Sequence, residues 1–166
     1  MDPTTLAYIA GFLDGDGSVF FQLTRRKDYV LGYQIRCNVA FYQKTDHQEI
    51  LVWLKECFQA GYIRHRKTGM SDYTVVDPVA VKGILQMLKP YVRLKKEHIN
   101  LALKILERLS THKTAQQFLE LCHEVDRFKD LNYSKKRTNN ASVVEEFFKT
   151  NCFLTPVETS SNKEGS

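Results

Sequence analysis

A chain of 166 residues, 43% hydrophobic and 26% charged, has the length and composition of one soluble globular domain with its own core. Its formal charge of +5 and pI near 9.0 lean toward an acidic partner such as nucleic acid. The cysteines at 37, 57, 122 and 152 include no C-x-x-C pair, which argues against zinc and a disulfide framework and for free thiols in a reducing compartment. With no signal segment and no apolar run long enough for a bilayer, an intracellular protein without a membrane partner is expected.

In chain order, the pattern predicts a helix from Thr4 or Thr5 to Leu13, with Pro3 just ahead of it. Two strands follow, in which Val19, Phe21 and Leu23, then Ile35, Cys37, Val39 and Phe41, alternate with polar residues. The short connection Arg26–Gly32 makes them a hairpin. A helix is expected from Asp46 to Gln59, and a second hairpin pairs Tyr62–Arg66 with Asp72–Val76 around Thr68-Gly69. Pro78 opens a helix to Leu88 with Asp77 as its N-cap. Further helices are expected at Lys95–Leu109, Ala115–Leu131 and Val143–Phe148. The order α-β-β-α-β-β-α followed by helices is an α+β architecture. Residues 1–155 are expected to form one domain, and 156–166 a disordered tail.

The polar row of the first hairpin carries Gln22, Thr24, Arg26, Gln34, Arg36 and Asn38, and the second carries Arg64 and Arg66 beside Tyr62. Arg, Gln and Asn are the side chains that bond base edges bidentately, and a β-ribbon fits the major groove. Asp28 and Asp72 are the few acids, near the ends of this face. A merely solvated face would carry more Lys, Glu and Thr. The run Ser134-Lys135-Lys136-Arg137 reads either as a phosphate-contacting loop or as a charged surface turn.

Residues 9–17, Ile-Ala-Gly-Phe-Leu-Asp-Gly-Asp-Gly, join two features. Ala7, Gly11 and Gly15 recur every four residues, a small-residue stripe that lets another backbone approach. Asp14 and Asp16 then offer carboxylates between glycines, suited to a hard cation. An EF-hand loop is excluded, because its glycine and glutamate positions hold Val19 and Arg25. A left-handed glycine C-cap accounts for Gly15 or Gly17 in part. It leaves two acids at a helix end that favours cations, a clash a metal would offset. The five histidines form no ligand pattern.

This nonapeptide resembles the motif that names the LAGLIDADG homing endonucleases. Phe41-Tyr-Gln-Lys-Thr45, Gly61-Tyr-Ile-Arg-His-Arg66 and Leu94-Lys95 leading to Asn100–Ile105 also resemble the single-motif, intron-encoded members from algal organelles, in order and over residues 5–150. The resemblance implies an αββαββα core with extra carboxy-terminal helices. It also implies a homodimer paired through the first helix at Ala7, Tyr8, Gly11 and Phe12. The implied reaction is Mg²⁺-dependent hydrolysis of both strands of a long pseudo-palindromic DNA site, with Mn²⁺ or Ca²⁺ able to occupy the metal position. Asp16 and the Gly15 carbonyl match the metal ligands, and Asp14 the motif's structural acid. Gln43 and Lys95 match positions that organise water and stabilise charge at the scissile phosphate. His47 stands where close relatives often carry arginine, so its role stays open. The DNA-contact set implied is Gln22, Thr24, Arg26, Gln34, Arg36, Asn38, Arg64, Arg66, Asp72, Lys135 and Arg137. An organellar setting, chloroplast or mitochondrion, goes with it. The competing reading is a non-catalytic nucleic-acid-binding protein of the same fold, acting as an RNA maturase or transcription regulator.

Overall fold

The computed structural model describes residues 1–132 and 138–154. The basic run at 134–137, with Lys135 and Arg137, and the tail from 156 lie outside those residues.

Helix α1, Pro3–Asp16, begins at an Asp2 cap whose carboxylate accepts from the Thr4 and Thr5 amides at 3.0 and 3.1 Å. Ile9, Ala10 and Leu13 bury one face of it. The helix continues three residues past the expected Leu13 and does not end on a left-handed glycine. Gly17 has φ −118° and ψ 172°, which any residue adopts. Space, not backbone freedom, accounts for the glycine: a Cβ there would lie 2.8 Å from the Leu13 Cα and carbonyl oxygen.

Strand β1, Gly17–Arg25, pairs antiparallel with β2, Tyr33–Lys44. A 3₁₀ turn at Thr45–His47 then delays the next helix, so α2 spans Glu49–Phe58 rather than starting at Asp46. It ends with Gln59 at φ 50° and Gly61 at φ 74°, where the chain turns back against the Thr74 carbonyl. Strands β3, Tyr62–His65, and β4, Met70–Val75, complete a four-stranded sheet in the order β1-β2-β4-β3. Helix α3, Pro78–Leu88, opens on the predicted Asp77 cap, which accepts from the Ala80 amide at 2.8 Å. Helix α4 spans Lys96–Leu109. The helix expected over 115–131 is two, α5 (Ala115–Asp126) and α6 (Phe128–Leu131). The break at Arg127 lets Phe128 bury fully and stack on Phe21, with ring centres 5.2 Å apart. Helix α7, Ala141–Thr150, exceeds its predicted length at both ends; at its start Asn140 caps it and Asp126 accepts the Ala141 amide at 2.8 Å.

The odd-numbered residues of β1 and β2 point into the core under the helices, as their alternation requires. Helix α1 packs on β1, β2 and α3, while α4 and α5 pack on β1. The opposite sheet face is left uncovered by helices. This is the α+β, αββαββα arrangement with added carboxy-terminal helices. No helix among the described residues is long and apolar enough to cross a membrane.

Candidate functional site

The end of α1 carries two acids with different surroundings. Asp14 turns its carboxylate toward the segment ahead of α4. Its Oδ2 accepts from the Arg93 and Leu94 amides at 2.6 and 3.2 Å, and its Oδ1 from the Lys95 amide at 2.9 Å. Lys95 Nζ in turn donates to the Asp14 carbonyl at 2.8 Å. No side chain caps α4, and Asp14, about 80 residues away in sequence, instead pins the three amides of the turn that leads into it. Partial burial works to raise the Asp14 pKa, but the three amides and Lys95 hold it below the usual carboxylate range. Burial pulls the Lys95 pKa down, against the attraction of Asp14 and Asp16. The expected clash of two acids at one helix end is therefore half resolved without a metal.

Asp16 is different. It is exposed, and no hydrogen bond or ion pair joins its carboxylate to the described residues. The Gly15 carbonyl beside it belongs to the last helical turn, whose carbonyls lack intrahelical partners. A carboxylate and a carbonyl are hard oxygen donors of the kind Mg²⁺ or Ca²⁺ takes. No cluster of three or more His, Cys, Asp or Glu exists among the described residues. One chain thus supplies part of a coordination shell.

A shallow pocket of about 560 Å³ joins Asp16 to Gln43 and His47 on one side and to Ala7, Tyr8, Gly11 and Phe12 on the other. The predicted seam and much of the predicted catalytic set share this surface. Lys95 lies instead in a separate chamber of about 830 Å³, with Asp14, Gly15, Ser18 and Tyr42. Gln43 and Lys95 therefore flank the end of α1 from opposite sides. Along the seam, Gly11 and Gly15 face open space, with nothing within 4 Å of a Cβ placed there. Tyr8 is 58% exposed, its ring edge-on to Trp53 at 5.9 Å.

On the outer sheet face the register sets Gln22 opposite Arg36 and Thr24 opposite Gln34. Two members of the predicted contact set are covered rather than displayed. Asn38 is 8% exposed, and Asp72 has no exposed surface. Arg66 Nε bonds Asp72 Oδ1 at 2.7 Å, Arg64 Nη2 reaches the same oxygen at 3.2 Å, and the Thr74 hydroxyl donates to Oδ2 at 2.9 Å. Burial works to raise the Asp72 pKa, but these bonds hold it below the carboxylate range. Asp72 is an anchor for two arginines, because its buried carboxylate has no surface to offer DNA. Arg66 also lies over the Tyr42 ring, 5.5 Å from its centre, and the Tyr42 and Ser18 hydroxyls are 3.0 Å apart. Sequence reasoning passed over Ser18, Phe20 and Tyr42, although all three continue the even-numbered polar row. Extending that parity to the strand ends would have found them. Sequence reasoning noted Asp28 as one of the few acids of this face without seeing that it pairs with Arg26.

The LAGLIDADG endonuclease family model matches residues 9–106. The chain is similar to DNA endonuclease I-CvuI of Chlorella vulgaris, 34% identical over 148 residues that make up 89% of this chain and 92% of that protein. It is also similar to DNA endonuclease I-CreI of Chlamydomonas reinhardtii, 36% identical over 140 residues, 84% of this chain and 85% of that one. The crystal structure of I-CvuI bound to the I-CreI target in the presence of Mg superposes with a TM-score of 0.87 at 32% identity, covering 92% of this chain and 97% of that one. The DNA-bound archaeal enzyme I-Vdi141I shares the fold, at a TM-score of 0.78 and 18% identity over 89% of this chain and 96% of its own. By motif, fold and relatedness over nearly its whole length, the chain belongs to the LAGLIDADG endonuclease family.

Proposed function

We propose that this chain is a site-specific homing DNA endonuclease that works as a homodimer, each protomer cutting one strand of a long pseudo-palindromic site with Mg²⁺. The observation that carries the reading is the exposed Asp16 carboxylate at the end of α1, without a hydrogen bond or ion pair among the described residues, with Gln43 on one side and Lys95 on the other. That arrangement borders a sheet face bearing Gln, Thr and Arg in register. The open seam at Gly11 and Gly15 supports pairing of two chains through α1, and the single motif requires two chains for two cuts.

Mg²⁺ held by Asp16 and the Gly15 carbonyl would supply a water of lowered pKa and neutralise charge on the phosphate. The chain's own groups do the rest. The Gln43 amide orients water from the seam side. Lys95, fixed by its bond to the Asp14 carbonyl, presents positive charge where negative charge develops on the phosphate. Arg64 and Arg66, both tied to Asp72, offer donors to base edges. I-CvuI has been crystallised with DNA in the presence of Mg and of Ca, which supports divalent metal use here. The algal sources of the two relatives support an organellar setting.

Incubation with a randomised plasmid library and Mg²⁺ tests the reading and yields the target. Wild type should linearise a subset of plasmids, and Asp16→Asn should bind the selected DNA without cutting it. Specific binding with no cutting by either protein would instead establish the non-catalytic reading.

A further inference from the structure

The geometry points to a guanine-reading module at the tip of the β1–β2 hairpin, in which Asp28 decides which edge of Arg26 is presented to DNA. This rests on the DNA-endonuclease reading and adds to it a base identity and a positioning residue.

The backbone of the module is fixed. The Arg26 amide donates to the Gly32 carbonyl at 2.9 Å, and the Gly32 amide returns to the Tyr29 carbonyl at 2.8 Å. Arg26 continues the outward row of Gln22 and Thr24. Its side chain is held on two sides. Nε and Nη2 bond the two Asp28 oxygens at 2.9 and 2.6 Å, and the guanidinium lies over the Tyr29 ring, 5.2 Å from its centre. A guanidinium has two edges that can make paired bonds. Asp28 takes the Nε–Nη2 edge and leaves the Nη1–Nη2 edge, whose Nη1 lies 3.4 Å from Gln34 Oε1. Two parallel donors at that spacing match the O6 and N7 acceptors of guanine.

Pairing also changes what the arginine is worth to the wrong DNA. Arg36, exposed and without an ion pair among the described residues, keeps a full charge for any phosphate. Arg26 is neutralised by Asp28, whose pKa the guanidinium holds at about 2, so the pair stays charged and matched across the working range. A neutralised pair adds little attraction to phosphate and retains its hydrogen-bond geometry. Asp28 is therefore a positioning residue for specificity, acting through Arg26. Nine residue steps separate Gly17 from Arg26, about 30 Å at ~3.3 Å per residue. That span corresponds to about nine base pairs outward from the cut at ~3.4 Å each.

The experiment is binding and cleavage of duplex libraries randomised over this outer region, by wild type, Arg26→Ala, Asp28→Asn and the double variant. Wild type should prefer guanine at one position there by roughly 10- to 100-fold. Arg26→Ala should lose that preference. Asp28→Asn should weaken it about tenfold and steepen the salt dependence of log K by about 0.9, because the freed charge finds a phosphate. In the Arg26→Ala background, Asp28→Asn should leave the base preference unchanged, because no Arg26 edge remains to be directed. Full guanine preference in Asp28→Asn, or equal loss on all bases with an unchanged salt slope, overturns the proposal. A wild type that selects a target with no guanine preference in this outer region overturns the proposal and leaves the endonuclease reading standing. A wild type that selects no DNA at all overturns both.

Discussion

Replacing Asp14 with asparagine separates anchoring from metal binding, because the variant leaves Asp16 untouched. In the wild type, Asp14 Oδ2 takes two amides and Oδ1 one. Asparagine keeps one acceptor oxygen, which would turn toward the Arg93 and Leu94 pair. The Lys95 amide then faces an NH₂ donor. One charge-assisted bond is lost, at a part-buried amide, and two are weakened, so the cost is about 2 kcal/mol. In a chain of this size that lowers Tm by about 4–8 °C. The unmatched amide belongs to Lys95 itself. A shift of about 1 Å in its ammonium should slow single-turnover cleavage roughly 10²-fold, with DNA affinity nearly unchanged. The stability gap should also titrate. Asp14's pKa is depressed in the folded chain, so its contribution is complete above the unfolded value near ~3.9 and is lost as pH falls through the lower folded value. Calorimetry at pH 7 and in acid below that folded value should show the gap between wild type and Asp14→Asn closing. An equal gap at both pH values, or wild-type cleavage by the variant, would refute this account of Asp14.

Two other substitutions probe α1. A Cβ at Gly11 meets nothing within 4 Å inside its own chain, so Gly11→Leu should leave Tm at low protein concentration unchanged. Sedimentation should nevertheless show the dimer giving way to monomer, with double-strand cutting lost; a dimer that persists would remove α1 from the seam. Gly17→Ala forces a methyl against the Leu13 backbone at 2.8 Å and should cost about 1–3 kcal/mol, read as a lower Tm and slower cleavage. An unchanged Tm would show that the α1–β1 junction yields freely.

Local periodicity was enough to read most of this architecture from the sequence. Alternation at 19–23 and 35–41 located the hairpin and its buried side, and Asp77-Pro78 marked a helix start that the structure reproduces. What stayed illegible were long-range terms. Nothing around Asp14 announces that its partners are amides at 93–95; its structural role came from the family resemblance, and its partners only from the fold. Asp72 looked like a contact residue because burial of a strand acid depends on neighbouring segments, here on Arg64 of β3 and Arg66 just beyond it. The break between α5 and α6 follows from Phe128 finding Phe21, a contact across more than 100 positions. Gln43 and Lys95 came from family resemblance. Spacing alone gives no sign that they bracket one helix end.

Helix α1 carries three duties within a few residues: Leu13 seats it in the core, Gly11 and Gly15 keep its outer side bare, and Asp16 ends it. A change to any one disturbs the others, so this stretch has little freedom to drift. The hairpin tip lies about 30 Å away along β1, where Arg26 and Asp28 are exposed and answer only to their immediate neighbours. Inheritance can therefore revise what is read one side chain at a time while the chemistry of cutting is left alone. A lineage built this way can follow a shifting target through small steps, each of which still leaves a working nuclease.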